Sequence, residues 1–178
     1  LNVPFMNKIP VVFFGLIFAL SCNQNHESQS VLTPDPDNGG LMLPDGFSAL
    51  VVVDEIGRGR HIDVRENGDI YVSLRNHDEN KGIACLRDTS GDGKTDIIEY
   101  AGEHTGTGIK LHKGYLYFGA DTAVVRYPMQ EGILVPGQNW ELIARGFPHE
   151  NQHEAKPMAF DNRGNMYVNV GAPSNACM

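Results

Sequence analysis

HIDVRENGDIYV, residues His61 to Val72, alternates apolar and polar positions, breaks at a polar turn ending in glycine, and resumes as a strand around a tyrosine. The same arrangement returns as IKLHKGYLYF at Ile109–Phe118 and as MAFDNRGNMYV at Met158–Val168. The glycine-led strands GDIYV, GYLYF and GNMYV begin at residues 68, 114 and 164, so they recur after 46 and then 50 residues. In the segment before each turn, Ile62 and Val64, Ile109 and Leu111, and Met158 and Phe160 take the apolar positions. Period-two alternation is the pattern of a strand, and a turn of the ENG, HKG or NRG kind needs a residue that accepts positive φ. Each copy is therefore predicted to be a β-hairpin. A repeat of about 40–50 residues with strands and no amphipathic helix is the pattern of a β-propeller blade, which makes the fold class all-β.

Propellers close on themselves with four to eight blades and so leave no long strand edge open. From about Leu43 to Met178 the chain holds roughly two and a half such repeats by the 40–50-residue blade length. It is predicted to be the N-terminal part of a larger propeller, and poorly soluble on its own because its sheet edges stay open.

The first 22 residues read as an address. Met6, Asn7 and Lys8 form a short charged start, Pro10–Leu20 is apolar, and Ser21-Cys22 follows at once. The apolar run is shorter than the roughly 20 residues a spanning helix needs. A small residue directly before a cysteine has the form of a bacterial lipoprotein cleavage site, with Cys22 as the lipidated residue. An ordinary secretory signal with a free cysteine is the alternative. Residues 23–44, rich in Asn, Ser, Pro, Asp and Gly, are expected to be a flexible tether. The domain spans 45–178, and its Phe47–Val53 run is apolar enough for a buried strand. The expected location is extracytoplasmic, periplasmic or on the cell surface, with the membrane touched only through a lipid anchor.

The chain carries 14 basic and 22 acidic residues, a formal charge of −8. Lys8 is the leader's only charge, so its removal leaves 13 basic residues and a charge of −9. With no Lys- or Arg-rich run, nucleic acid is excluded as a partner. Beyond Cys22 there are Cys85 and Cys177, which do not occupy matching places in the repeat, so no disulfide between them is predicted.

Asp88-Thr-Ser-Gly-Asp-Gly-Lys-Thr-Asp-Ile-Ile-Glu99 has the spacing of a calcium loop. Asp88, Ser90, Asp92, the Lys94 carbonyl, Asp96 and Glu99 could supply six oxygens, with Gly93 making the bend. Against this, IIEYAG reads as a strand that carries Glu99 away, and Asp-Gly and Ser-Gly are ordinary turn pairs. The ion, if bound, is structural. The second candidate is PHENQHEAK, Pro148–Lys156, placed where the chain enters an innermost strand and so at the mouth of a propeller channel. A histidine there can serve as a general base, because its ordinary pKa is near neutrality. The competing reading is a solvated polar loop.

Four stretches in this order resemble the soluble quinoprotein glucose/sorbosone dehydrogenases, particularly the sorbosone-dehydrogenase-like branch. They are RHIDVRENGDIYVSL at Arg60–Leu74, DTSGDGKTD at Asp88–Asp96, GTGIKLHKGYLYFGADTAVVRYP at Gly106–Pro128 and HEAKPMAFDNRGNMYVNVGAPSNAC at His153–Cys177. The resemblance implies a six-bladed propeller that binds pyrroloquinoline quinone (PQQ) with calcium and oxidises an aldose, a sugar aldehyde or a polyol. It places the proton-abstracting base at His153 and a basic residue near the cofactor at Lys156. Lys156 stands where the glucose-oxidising branch has Arg, Gln152 replaces an acidic residue, and Gly171-Ala172-Pro173 replaces Gly-Asp. The arginines and lysine that grip the quinone are implied to lie beyond Met178. A non-enzymatic surface propeller that binds glycan or protein is the alternative, since a fold does not fix an activity.

Overall fold

The computed structural model describes residues 32–75, 81–148 and 155–171. In the first antiparallel sheet, β1 (Gly59–Val64), β2 (Ile70–Leu74), β3 (Ile83–Arg87) and β4 (Ile97–Ala101) lie side by side in chain order. The second repeats this meander with β5 (Gly106–His112), β6 (Tyr115–Ala120), β7 (Ala123–Pro128) and β8 (Glu141–Arg145). β9 (Met158–Phe160) and β10 (Met166–Val168) form a further hairpin. The three repeated stretches are thus the hairpins β1–β2, β5–β6 and β9–β10. Their glycines Gly68, Gly114 and Gly164 have φ of 90°, 77° and 86°, the left-handed backbone that a side chain disfavours.

The leading strands β1, β5 and β9 of the three units lie next to one another. His61 reaches Thr107 and Asp63 reaches Leu111, while Lys156 meets Thr107 and His112 stacks on Phe160. In both pairings the residue numbers rise together, so the three strands run in one direction and the chain enters all of them from the same end.

The main core fills the space between the two sheets. Tyr71, Ile83 and Cys85 pack there with Ile109, Leu116, Phe118, Val125, Tyr127 and Leu134. Burying side chains of this size contributes roughly 1.5–3 kcal/mol each before the opposing chain entropy. Tyr71 is wholly buried and donates its hydroxyl to the Leu134 carbonyl at 2.8 Å, so its one polar group is satisfied across the sheet boundary. Cys85 is a buried free thiol, pushed up to about 12 by burial and then by the Glu99 and Asp69 charges. Cys22 and Cys177 lie outside the described residues.

The apolar members of the β1 alternation do not face the core: Ile62 and Val64 are 65% and 53% exposed. The alternation is real, but its polar members His61 and Asp63 turn toward β5, where backbone groups need hydrogen-bond partners. Nor is Phe47–Val53 a strand: Phe47 is 72% exposed, and the segment joins no strand ladder. Its amides are taken by side chains instead, Ala49 N–H by Asn38 Oδ1 and Val51 N–H by Asp35 Oδ2. Asp35 also pairs with Lys94 at 3.1 Å, which brings the end of the tether-like segment onto the Asp88 loop.

Candidate functional site at the entry end of the inner strands

Every inner strand begins at one end of the molecule, and that end carries an unusual density of polar groups. Thr107, 1% exposed, is the hub. Its carbonyl accepts from His61 Nδ1 at 2.5 Å and from Ser73 Oγ at 2.7 Å, and its Oγ1 accepts from the Lys156 N–H at 3.0 Å. A carbonyl can only accept, so the contact places a proton on His61 Nδ1 and leaves Nε2 as the ring's other site. Ser73, itself wholly buried, accepts from the His61 N–H at 3.1 Å. Three repeats are therefore joined through one threonine.

Lys156 is also buried, at 1% exposure, a state lysines almost never reach without partners. Its carbonyl lies where Cβ atoms of Gly108 and Gly119 would stand. The glycines in GTGIK and FGA thus create a flat shelf on β5 and β6, and the backbone at Lys156 rests on it. Sequence reasoning singled out Lys156 but did not anticipate this seat.

At the same end, Arg58, Arg60 and Arg75 surround a cleft of about 540 Å³ floored by Gly57 and Gly59. Arg58 and Arg60 flank the first residue of β1 and are exposed, and Arg75 follows β2, its N–H donating to the Arg58 carbonyl at 3.0 Å. Guanidinium groups present rigid forks of N–H donors that match carboxylates two at a time. Sequence reasoning missed the cleft because the three arginines are neither contiguous nor in one repeat position; the register Gly59 opposite Leu74 brings them together.

His153 lies outside the described residues. The Asp88 loop is described in full; among the described residues no three His, Cys, Asp or Glu side chains form a group able to hold a metal ion. Asp88 instead accepts the N–H groups of Ser90, Gly91 and Gly93 and the Ser90 hydroxyl. Asp96 Oδ2 takes the Thr89 N–H and hydroxyl and the Ser90 N–H, and Asp92 takes the Lys94 N–H. Glu99 sits on β4 opposite Cys85, exposed. These donors, the Gly93 N–H foremost, hold the Asp88 carboxyl below its ordinary 3.8.

No protein-family model and no curated protein matches this sequence. Solved structures do resemble the fold. The holo form of the PQQ domain of pyranose dehydrogenase from Coprinopsis cinerea superposes with a TM-score of 0.64 at 15% identity, over 75% of this chain and 32% of that one. The calcium structure of a Trichoderma reesei enzyme of carbohydrate-active family AA12 gives 0.64 at 16% identity, over 75% and 34%. The chain thus spans about a third of the length of these structures. What is shared at this identity is the fold.

Proposed function

We propose that this chain is the N-terminal portion of a quinoprotein oxidoreductase that oxidises an aldose, a sugar aldehyde or a polyol. The observation that carries the reading is the cleft lined by Arg58, Arg60 and Arg75, placed where the inner strands begin. The likeness in fold to a PQQ domain supports it. Arg58 and Arg60 would add cations for carboxylates of PQQ beside the arginines and lysine implied to lie beyond Met178, and the quinone, when bound, supplies the two-electron acceptor. On the protein side the reaction needs a base near the operating pH, because a hydride leaves carbon readily only as the neighbouring hydroxyl loses its proton. By the sequence resemblance that base is His153, and Lys156, seated on the glycine shelf, fixes the strand that follows it. Calcium belongs to the proposal as a companion of the cofactor; the Asp88 loop is not its site. A leader ending at a lipidated Cys22 would place the enzyme outside the cytoplasm, anchored to a bacterial membrane.

The full-length protein reconstituted with PQQ and calcium should reduce an electron-accepting dye when given sugars. Changing Arg58 and Arg60 together to Ala should weaken quinone binding, and His153→Ala should abolish turnover while quinone still binds. Absence of turnover with every aldose, sugar aldehyde and polyol tried would leave the non-enzymatic surface propeller as the better reading.

A further inference from the structure

A second cleft, about 500 Å³, opens on the outer side of the molecule, where β4 is the last strand of its sheet. It lies between Tyr100 and Glu103 on one side and the loop that carries Gln138, Asn139 and Trp140 on the other, with Tyr127 beneath. Its volume lies in the range of small-ligand sites.

The Trp140 ring is exposed yet fixed. Its Nε1 donates to Glu103 Oε1. His104 stands edge-on to it at 4.7 Å, and His104 Nδ1 in turn shares a hydrogen bond of 2.8 Å with the Tyr127 hydroxyl. An exposed indole normally loses rotamer freedom when a ligand stacks on it, and here that loss is already taken. The Tyr100 ring carries the Lys81 ammonium at 5.2 Å, which leaves Trp140 as the stacking platform.

Beside this platform Gln138 and Asn139 are exposed. Each amide both donates and accepts, and Glu103 keeps a second oxygen as acceptor. A flat apolar face bordered by groups that donate and accept is the complement of a pyranose, which has C–H bonds on its faces and hydroxyls around its rim. Among the described residues one carboxylate and no Lys or Arg line the cleft, so phosphorylated and uronic sugars are disfavoured.

We propose that this cleft binds a neutral hexose unit of an oligosaccharide or polysaccharide, with Trp140 stacking on the ring and Gln138, Asn139 and Glu103 bonding its hydroxyls. It shares no residue with the arginine cleft, and it stands whether or not the oxidoreductase reading holds. The site would keep the protein on a polymeric sugar.

Trp140 is the only tryptophan in the sequence, so its emission reports on the cleft directly. Titrating the chain with cellohexaose, maltohexaose and mannohexaose should give a saturable blue shift with at least one of them. The variant with Gln138→Ala and Asn139→Ala keeps the reporter and should bind roughly tenfold more weakly, the loss of about two hydrogen bonds. Arg58→Ala with Arg60→Ala should bind as the unaltered chain does. Trp140→Ala, checked for folding by circular dichroism, should no longer be retarded in a gel containing the matching polysaccharide. No spectral change with any of the three sugars would overturn the proposal. So would binding that survives the double amide change or is lost with the arginines, and so would a cleft that captures a polypeptide and no sugar.

Discussion

Asp63 on β1 spans the gap between the two sheets: its Oδ2 accepts the Leu111 N–H at 2.6 Å while its Oδ1 meets Lys110 Nζ at 2.8 Å. One carboxylate thereby satisfies a backbone donor and a cation of the neighbouring unit. Asp63→Ala should destabilise the chain by roughly 1–3 kcal/mol, because the Leu111 N–H is left without its acceptor. Asp63→Asn keeps an acceptor oxygen and should cost less. Urea unfolding of the two variants distinguishes them; equal losses would mean that the Lys110 charge, and not the amide, is what matters.

Asp69, 1% exposed, receives Arg87 Nε and Nη2 on its two oxygens, each at 2.7 Å. Burial alone would raise the carboxyl, but the Arg87 hydrogen bonds, then Asn67 and the Arg87 charge, outweigh it and hold the pKa below 3.8. A depressed carboxyl stabilises the fold fully above its unfolded pKa of 3.8, and that contribution fades as pH falls through the lower folded value. Arg87→Met leaves a buried unpaired charge and should cost roughly 3–5 kcal/mol near neutrality. Desolvation then raises the carboxyl in the variant, so the deficit against the parent should shrink between about pH 7 and about pH 4. Denaturant midpoints across that interval test this; a deficit that does not change with pH would rule it out.

The hairpins were legible because glycine, turn and tyrosine strand are local signals, and the φ values of Gly68, Gly114 and Gly164 answer to them. Which face of β1 turned inward was not. Ile62 and Val64 look like core, yet Asp63 and His61 take the buried direction because a neighbouring sheet offers them Leu111 and Thr107. The arginine cleft and the Trp140 cleft were invisible for the same reason: each joins residues distant in sequence through strand register or sheet packing. At the Asp88 loop the oxygens whose spacing matches a calcium loop also accept nearby backbone N–H groups, which spacing alone does not reveal.

The seat of Lys156 on Gly119 predicts a selective failure of the third hairpin. A methyl group at Gly119 meets the Lys156 carbonyl and crowds the Met158 side chain, neither of which can retreat far while β9 stays against β5. Gly119→Ala should destabilise by roughly 1–3 kcal/mol through overpacking. Hydrogen exchange should accelerate first at β9 and β10 and less at β2 and β3. Uniform acceleration would show that the shelf does not act locally.

Because the Asp88 carboxylate already ties its loop together through four donors, the loop is expected to keep its shape without calcium. The thermal midpoint of the chain should be the same with calcium and with a chelator, whereas Asp88→Ala should lower it in both. A midpoint that falls only on chelation would restore the ion to the loop.

His104 gives the outer cleft a dependence on pH. Burial, opposed by the Glu103 charge, holds its pKa below 6.5, so the fold favours the neutral ring. The contribution of His104 to stability is therefore complete above 6.5 and is lost as pH falls below that value toward the folded pKa. Groups facing the ring are Tyr127, which shares its Nδ1, Trp140 on its edge, and the carboxylate of Glu103. A cation placed against the indole should also quench its emission. The unaltered chain should begin to lose urea stability as pH falls below about 6.5, and Trp140 fluorescence should fall at lower pH, where the folded ring itself takes the proton. His104→Gln, which cannot gain a proton, should flatten both curves. If fluorescence still falls in the variant, another group titrates beside Trp140 and His104 is not the source.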